Sequence, residues 1–252
     1  MAKRAALRAR VRAALVPIAD AARAPQMQAY MKSEMPYLGI TAPKLKAALR
    51  GLYATYPFDS AEGWRADALA LWRSAEVREE RYAALQLTGH RKAEAFQTLD
   101  ALPMYEEMIV DGAWWDYVDE IAANRIGPLL AAFPKQMGKT MRAWSTSPNM
   151  WKRRTSIICQ LGFKDAIDLE LLYACIAPSI ESKEFFLRKA IGWALRQHAR
   201  VDPGEVARYV AAHPELSGLS KREALKHVRG GTPADSRARR SGTARGRAAP
   251  RA

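Results

Sequence analysis

The sequence predicts an all-α fold, a curved stack of helical hairpins, and three observations carry that prediction. Apolar residues recur at three- and four-residue spacing in run after run along the 252 residues. Pro103, Pro128, Pro134, Pro148, Pro178, Pro203 and Pro214 fall at the starts of those runs or between them. No run alternates with period two, and no strand-flanked Asn-Gly or Asp-Gly turn is present.

Taken in order, Leu7, Val11, Leu15 and Ile18 define an amphipathic first helix, with Arg4, Arg8 and Arg12 as a second stripe. The same segment has the Arg- and Ala-rich, acid-poor look of a transit peptide. A first helix docked on the body is the preferred reading, because the chain continues after only a short break. Thr41-Ala42-Pro43 supplies a polar cap and an early proline before Leu45, Leu49 and Leu52. Ser60 caps a run containing Trp64, Leu69 and Trp72. Further helices are predicted around 76–88, 103–111, 114–124, 148–161, 166–177, 182–199, 203–212 and 220–228, with Ser182 capping the 182–199 run. Helix pairs spaced by roughly 35–45 residues suggest stacked hairpins. A curved stack of that kind offers a long concave face suited to a rod-like ligand. Residues 230–252 carry no large apolar side chain and read as a disordered basic tail, which leaves 1–229 as a single folded domain.

Charge narrows the function. The formal net charge is +14. Residues 1–13 and 230–252 each carry a net +5 of it, leaving +4 for the body. A polyanion partner is expected. No apolar run approaches the ~18–20 residues of a membrane span. Cys159 and Cys175 are too few for a disulfide scaffold or a four-thiolate zinc site, and the four histidines are scattered, so no metal is expected. Phosphate-loop, dinucleotide and His-Glu-x-x-His signatures are absent, and no cofactor is expected.

Three segments stand out. In Trp114-Trp115-Asp116-Tyr117-Val118-Asp119, helical geometry puts Trp114 with Val118 and Ile121 toward the core and Trp115 with Asp119 on a neighbouring face. A carboxylate beside an indole is either packing with a solvated acid or a site that stabilises positive charge. Trp151-Lys152-Arg153-Arg154 is either a solvated basic turn or a clamp for backbone phosphates. In the segment from Ser182-Lys183-Glu184-Phe185-Phe186 to Gly192-Trp193, the stripe Phe186, Ala190 and Trp193 is either core or ligand-facing. Gly192 there costs about 1 kcal/mol relative to alanine, and it permits a close approach by a neighbouring helix or a ligand.

These blocks, in this order, resemble the AlkD-type DNA alkylation repair proteins, bacterial 3-methyladenine/7-methylguanine DNA glycosylases. The segments Tyr30 to Ile40 and Leu219 to His227 carry the resemblance further, over roughly four-fifths of the chain from Gln26 to Val228. The resemblance implies a stack of HEAT-like repeats whose concave face holds duplex DNA containing alkylated purines. It implies Asp119 as catalytic carboxylate, and Trp115 and Trp193 as indoles at the lesion nucleotide. Arg154 is implied at the phosphates and Tyr30 in the same cleft, with Trp114, Lys152, Arg153 and Lys183 added to the DNA-contacting set. It further implies base release without a base-specific pocket, in a monomer, in the bacterial cytoplasm. The Arg-rich ends look unlike the family core and are expected to add nonspecific DNA affinity. A non-catalytic binder of damaged or branched DNA, or a protein-interaction scaffold, remains open at this point.

Overall fold

The computed structural model describes residues 2–228, with side chains from Leu7 onward; the predicted tail, 230–252, lies outside the described residues. The α-helices are α1 (Ala2–Leu15), α2 (Ala24–Met31), α3 (Ala42–Ala54), α4 (Ala61–Arg73), α5 (Arg78–Thr88), α6 (Leu102–Gly112) and α7 (Trp115–Ile121). They continue as α8 (Gly127–Ala132), α9 (Pro134–Ser145), α10 (Met150–Ile158), α11 (Leu169–Ile176), α12 (Phe185–His198), α13 (Pro203–Ala212) and α14 (Gly218–Ala224). Short 3₁₀ turns join several of them, and the described residues contain no strand. Each helix packs mainly on near neighbours in sequence: α4 on α5, α6 on α7, α9 on α10 and α11, α10 on α12, α12 on α14. That order is an α-solenoid-like stack around one continuous apolar core.

The first helix is part of the body. Leu7, Val11 and Leu15 are buried, and α1 packs on α3, α4 and α5. Arg8, Arg10 and Arg12 are engaged within the fold, Arg10 on Thr55 Oγ1. Arg8 and Arg12 both bond Glu76, and Arg12 Nε also reaches Glu80 at 2.9 Å. Burial of the apolar face orders the segment as a structural element, and Arg8 and Arg12 are not free for an added polyanion contact.

Several boundaries differ from the sequence prediction for local reasons. The helix α10 begins at Met150 and is capped by Asn149, its Oδ1 accepting from Trp151 N and Lys152 N. Asp168 caps α11 and Ser217 caps α14. Ser60 caps α4 as expected, accepting from Gly63 N at 3.0 Å, whereas Thr41 occupies the cap position of α3 without a side-chain bond. Ser182 does not cap α12; its hydroxyl accepts from Glu184 N, and the helix begins at Phe185. The helix α9 was not predicted, although Met137, Met141 and Trp144 carry helical spacing and are buried.

Two backbone features shape the region after α6. Ala113 lies in the left-handed region, at φ 42°, where it ends α6 and redirects the chain into α7. Between α7 and α8, residues Ala122–Ile126 form a π-helical turn. Pro128 follows at the start of α8 and has no N–H to give Asn124 O. The Arg125 guanidinium supplies that bond instead, at 2.7 Å, and also reaches Leu85 O and Thr88 Oγ1. A proline that removes a helical donor is a recognised cause of such local rewinding.

Gly192 is explained by the stack. A Cβ there would stand 2.5 Å from Glu223 Cβ and 3.0 Å from Ser220 O, so the close approach is that of α14. Gly192→Ala is expected to lower stability by about 1–3 kcal/mol, because overpacking forces the two helices apart. A melting temperature equal to wild type in a thermal-unfolding scan would contradict this. Ala113→Gly is expected to raise stability by about 1 kcal/mol, by relieving the left-handed alanine, and the same scan reads it.

Candidate functional site

The site is built where α7, α10 and α12 meet. The turn at Ala113 puts Trp114 at the N-cap of α7, in extended backbone, and Trp115 at its first residue. Asp119 follows one turn later on the side of Trp115. Arg154 lies near the middle of α10, one turn after Trp151. Phe186 lies in the first turn of α12, with Trp193 two turns farther along the same face.

The Arg154 guanidinium ties the three helices together. Its Nε donates to Asp119 Oδ1 at 2.7 Å and its Nη2 to Asp119 Oδ2 at 2.8 Å, while Nη1 donates to Phe186 O. Arg154 is 4% exposed and the Asp119 side chain 14%. The carboxylate therefore sits mostly desolvated, with a small accessible edge. Burial raises the Asp119 pKa above the ordinary carboxylate range; the Arg154 pair opposes that, and the field of Asp116 adds to it. A permanently charged, two-point partner favours the ionised carboxylate against that burial.

An aromatic cluster covers the same junction. Trp114 and Trp151 have ring centroids 6.3 Å apart, Trp114 and Phe186 5.5 Å, and Trp151 and Phe186 5.0 Å. Trp114 thus packs against the core, as its spacing predicts, rather than standing free for DNA; its buried indole N–H has no partner among the described residues. Trp115 and Trp193 are half-buried, and neither has a ring partner among the described residues. Trp193 is also absent from the apolar core. Its indole is therefore not the core stripe that one reading of the sequence allowed.

The cations divide into engaged and free. Arg154 is buried on Asp119, so in this structure it orients the carboxylate rather than facing solvent. Lys152 Nζ pairs with Glu106 at 2.6 Å and lies 5.1 Å from the centroid of the Trp144 ring. Arg153 is half-buried with no carboxylate partner, and Lys183 is exposed with no partner among the described residues. Tyr30 lies on α2 and is 78% exposed. None of its contacts within the described residues joins it to Asp119.

A second buried pair, not found from sequence, supports the first. Arg78 Nη2 reaches both Asp116 oxygens at 2.7 Å, and Tyr82 Oη donates to Asp116 Oδ2 at 2.6 Å. Tyr37 Oη lies 2.9 Å from Tyr82 Oη, and Arg78 stacks 4.1 Å from the centroid of the Tyr117 ring. Beside them, the buried Glu79 carboxylate accepts from Leu38 N and Ile40 N, holding the segment that follows Tyr30. Asp116 thus accepts three hydrogen bonds from two donors, Arg78 Nη2 and Tyr82 Oη, whereas Asp119 accepts two from one guanidinium; the two side chains are about equally exposed, at 13% and 14%. Of the two acids in the tandem-Trp block, Asp119 has the greater bonding capacity to spare. No three His, Cys, Asp or Glu side chains come together in metal-holding geometry among the described residues.

Comparison with known proteins follows the same outline. The sequence model of the family described as DNA alkylation repair enzyme matches residues 11–228. That match reaches farther back than Gln26 and takes in the end of α1. Among solved structures, a predicted DNA alkylation repair enzyme from Enterococcus faecalis is similar at TM-score 0.76 and 27% identity. The similarity covers 84% of this chain and 98% of that one. A search of curated proteins finds no match.

Breaking the central pair isolates its worth. Arg154→Met leaves Asp119 desolvated without its cation and is expected to cost up to roughly 3–5 kcal/mol, as for other truncated buried pairs. Urea unfolding measures this; a change within about 0.5 kcal/mol, the range of ordinary surface substitutions, would show that the pair is not buried in solution.

Proposed function

The chain belongs to the DNA alkylation repair enzyme family, and from that premise we propose that it is a monofunctional DNA glycosylase. Its substrates are cationic N3- and N7-alkylpurines in duplex DNA, including 3-methyladenine, 7-methylguanine and bulkier adducts. The observation that carries this reading is the two-point Arg154 pair, which fixes the mostly buried Asp119 carboxylate with a small edge accessible. In the proposal residues 1–229 act as one HEAT-like domain, a monomer in the bacterial cytoplasm, with DNA along the concave face. None of the helices described is long and apolar enough to cross a membrane.

The chemistry follows from the charge of the lesion. Alkylation at N3 or N7 makes the purine a cation, which departs as a neutral base without a general acid. Positive charge then develops on the deoxyribose. A fixed carboxylate beside C1′ stabilises it and orients the attacking water, as in glycoside hydrolysis. The indoles of Trp115, which packs partly against the core, and of Trp193, which lies outside it, add about 0.5–2 kcal/mol each when desolvated. Lys183 and Arg153, the cations of the set without an acid partner, are assigned to backbone phosphates, which fix register without reading sequence. With Arg154 engaged by Asp119, its contribution is to orient the catalytic carboxylate. Specificity resides in the weakened bond of the lesion, so the reaction needs no base-specific pocket and no base flipping.

The direct assay is incubation with methylated duplex DNA, measuring free 7-methylguanine and abasic sites. Release of cationic purines without strand cleavage is expected; efficient release of neutral hypoxanthine would contradict the mechanism. Trp115→Ala and Trp193→Ala are each expected to slow release about 2- to 30-fold, matching 0.5–2 kcal/mol, with little loss of stability.

The pH profile has a defined sign. The ionised carboxylate is the active form, and its pKa is raised. Activity above the uncatalysed rate is therefore expected to fall, with decreasing pH, at a value above the ordinary ~3.9 of aspartate. Arg154→Lys replaces the two-point guanidinium with a weaker point charge, so its acid limb is expected to move to higher pH. An unmoved limb would exclude Asp119 as the titrating group.

A further inference from the structure

Asp119 shares its turn of helix with another acid. Asp116 precedes it by three residues on α7, a spacing that puts the two Cβ atoms about 5–6 Å apart. Both side chains are mostly buried. Two carboxylates so placed oppose each other's ionisation unless each has a counter-charge. The stack supplies one from each side: Arg154 of α10 on Asp119, and Arg78, the first residue of α5, on Asp116.

The Arg78 side chain is buried and held on every nitrogen. Its Nη2 meets Asp116, its Nη1 reaches Ser33 Oγ and its Nε reaches Tyr82 Oη, the last two at 3.3 Å. Its backbone N–H donates to Pro36 O at 3.0 Å, and the ring of Tyr117, on α7 itself, lies against the guanidinium. The cation is therefore fixed on Asp116 rather than shared between the two acids. Other charged groups on the helices around Asp119 are paired elsewhere. Glu120, the next residue, is 3.2 Å from Arg125. On α6, Glu106 pairs with Lys152 of α10, and Asp111 with Arg81 of α5. On α12, Lys189 and Arg196 pair with Glu223, and the Phe186 carbonyl accepts from Arg154. Arg153 of α10 has no carboxylate partner among the described residues. Asp116 is the acid whose field raises the Asp119 pKa.

We propose that Arg78 is a positioning residue for Asp119: by neutralising Asp116 and fixing the first turn of α7, it lets two neighbouring acids carry charge together and leaves the Asp119 carboxylate to the cationic sugar. Its catalytic meaning rests on the reading of Asp119 as the reacting carboxylate. The charge pairing itself needs no DNA and can be measured without it.

The test compares the full wild-type chain with Asp116→Asn, Arg78→Met and the double variant, each ¹³C-labelled at the aspartate carboxyls. NMR follows the titration of Asp119, assigned by its loss in Asp119→Asn, and single-turnover release of 7-methylguanine gives the acid limb. Asp116→Asn removes the like charge and leaves the cation. Asp119 is then expected to titrate about 1 pH unit lower, the low end of the effect of a charge within ~4–6 Å, and the acid limb to move with it. Arg78→Met leaves two acids with one cation between them, and the pair is expected to take up its first proton about 1 pH unit higher than in wild type. The double variant lacks both charges, and its Asp119 is expected to titrate between the two single variants. It buries no unpaired charge, so it is expected to fold even where a single variant does not, and either single variant measured against it reads the same sign. Equal titration of Asp119 in Asp116→Asn and the double variant, or slower release with no shift in pH dependence, would make Arg78 a structural residue only and overturn the proposal. Absence of base release by the wild type, with the NMR order as expected, would count against the glycosylase reading and not against the pairing.

Discussion

One guanidinium holds the candidate site together. Arg154 spends its donors on Asp119 of α7 and on the carbonyl of Phe186 in α12, while its own helix supplies the third side of the junction. A fork that meets both carboxylate oxygens fixes distance and plane at once, which a point charge does not. The position of Asp119, the entry of α12 and hence the place of Trp193 two turns on all follow from it. The Trp114–Trp151–Phe186 cluster excludes water from the same junction. Without that exclusion the pair would be screened and its geometry worth little.

The second pair, Arg78 with Asp116, extends this logic toward the N-terminal half. Through Tyr82 and Tyr37, and through Glu79 beside them, it couples α5 and the 33–40 segment to the start of α7. The two acids of one short block therefore face opposite parts of the stack. Asp116 accepts three hydrogen bonds in joining them, and Asp119, equally exposed, accepts two from Arg154 alone.

Much of this was legible in the sequence, and the limits have physical causes. Helical spacing located the α7, α10 and α12 segments, and it placed Trp115 with Asp119 and Trp151 with Arg154, because those relations span three or four residues. The sequence reading missed α9, whose Met137, Met141 and Trp144 carry the same spacing, because it opens on Pro134 and contains Gly138. What spacing does not carry is pairing across the fold. Asp119 and Arg154 are 35 residues apart, Arg78 and Asp116 38, and Lys152 and Glu106 46. Residues that read as a row of free cations at 152–154 are therefore mostly engaged. The same holds for the first helix, where Arg8 and Arg12 are matched by Glu76 and Glu80. A large formal charge overstates the charge that the folded surface offers to DNA.

The central claim is that the ionised, Arg154-held carboxylate of Asp119 performs the chemistry rather than merely stabilising the junction. Asp119→Asn is nearly isosteric and tests it directly when single-turnover release of 7-methylguanine and DNA affinity are measured on the same folded sample. The account predicts a fall in the release rate of at least about 100-fold, the scale of losing one preorganised electrostatic group, with affinity close to wild type. Release at the wild-type rate from a folded Asn variant would make Asp119 a structural partner of Arg154 and would contradict the account.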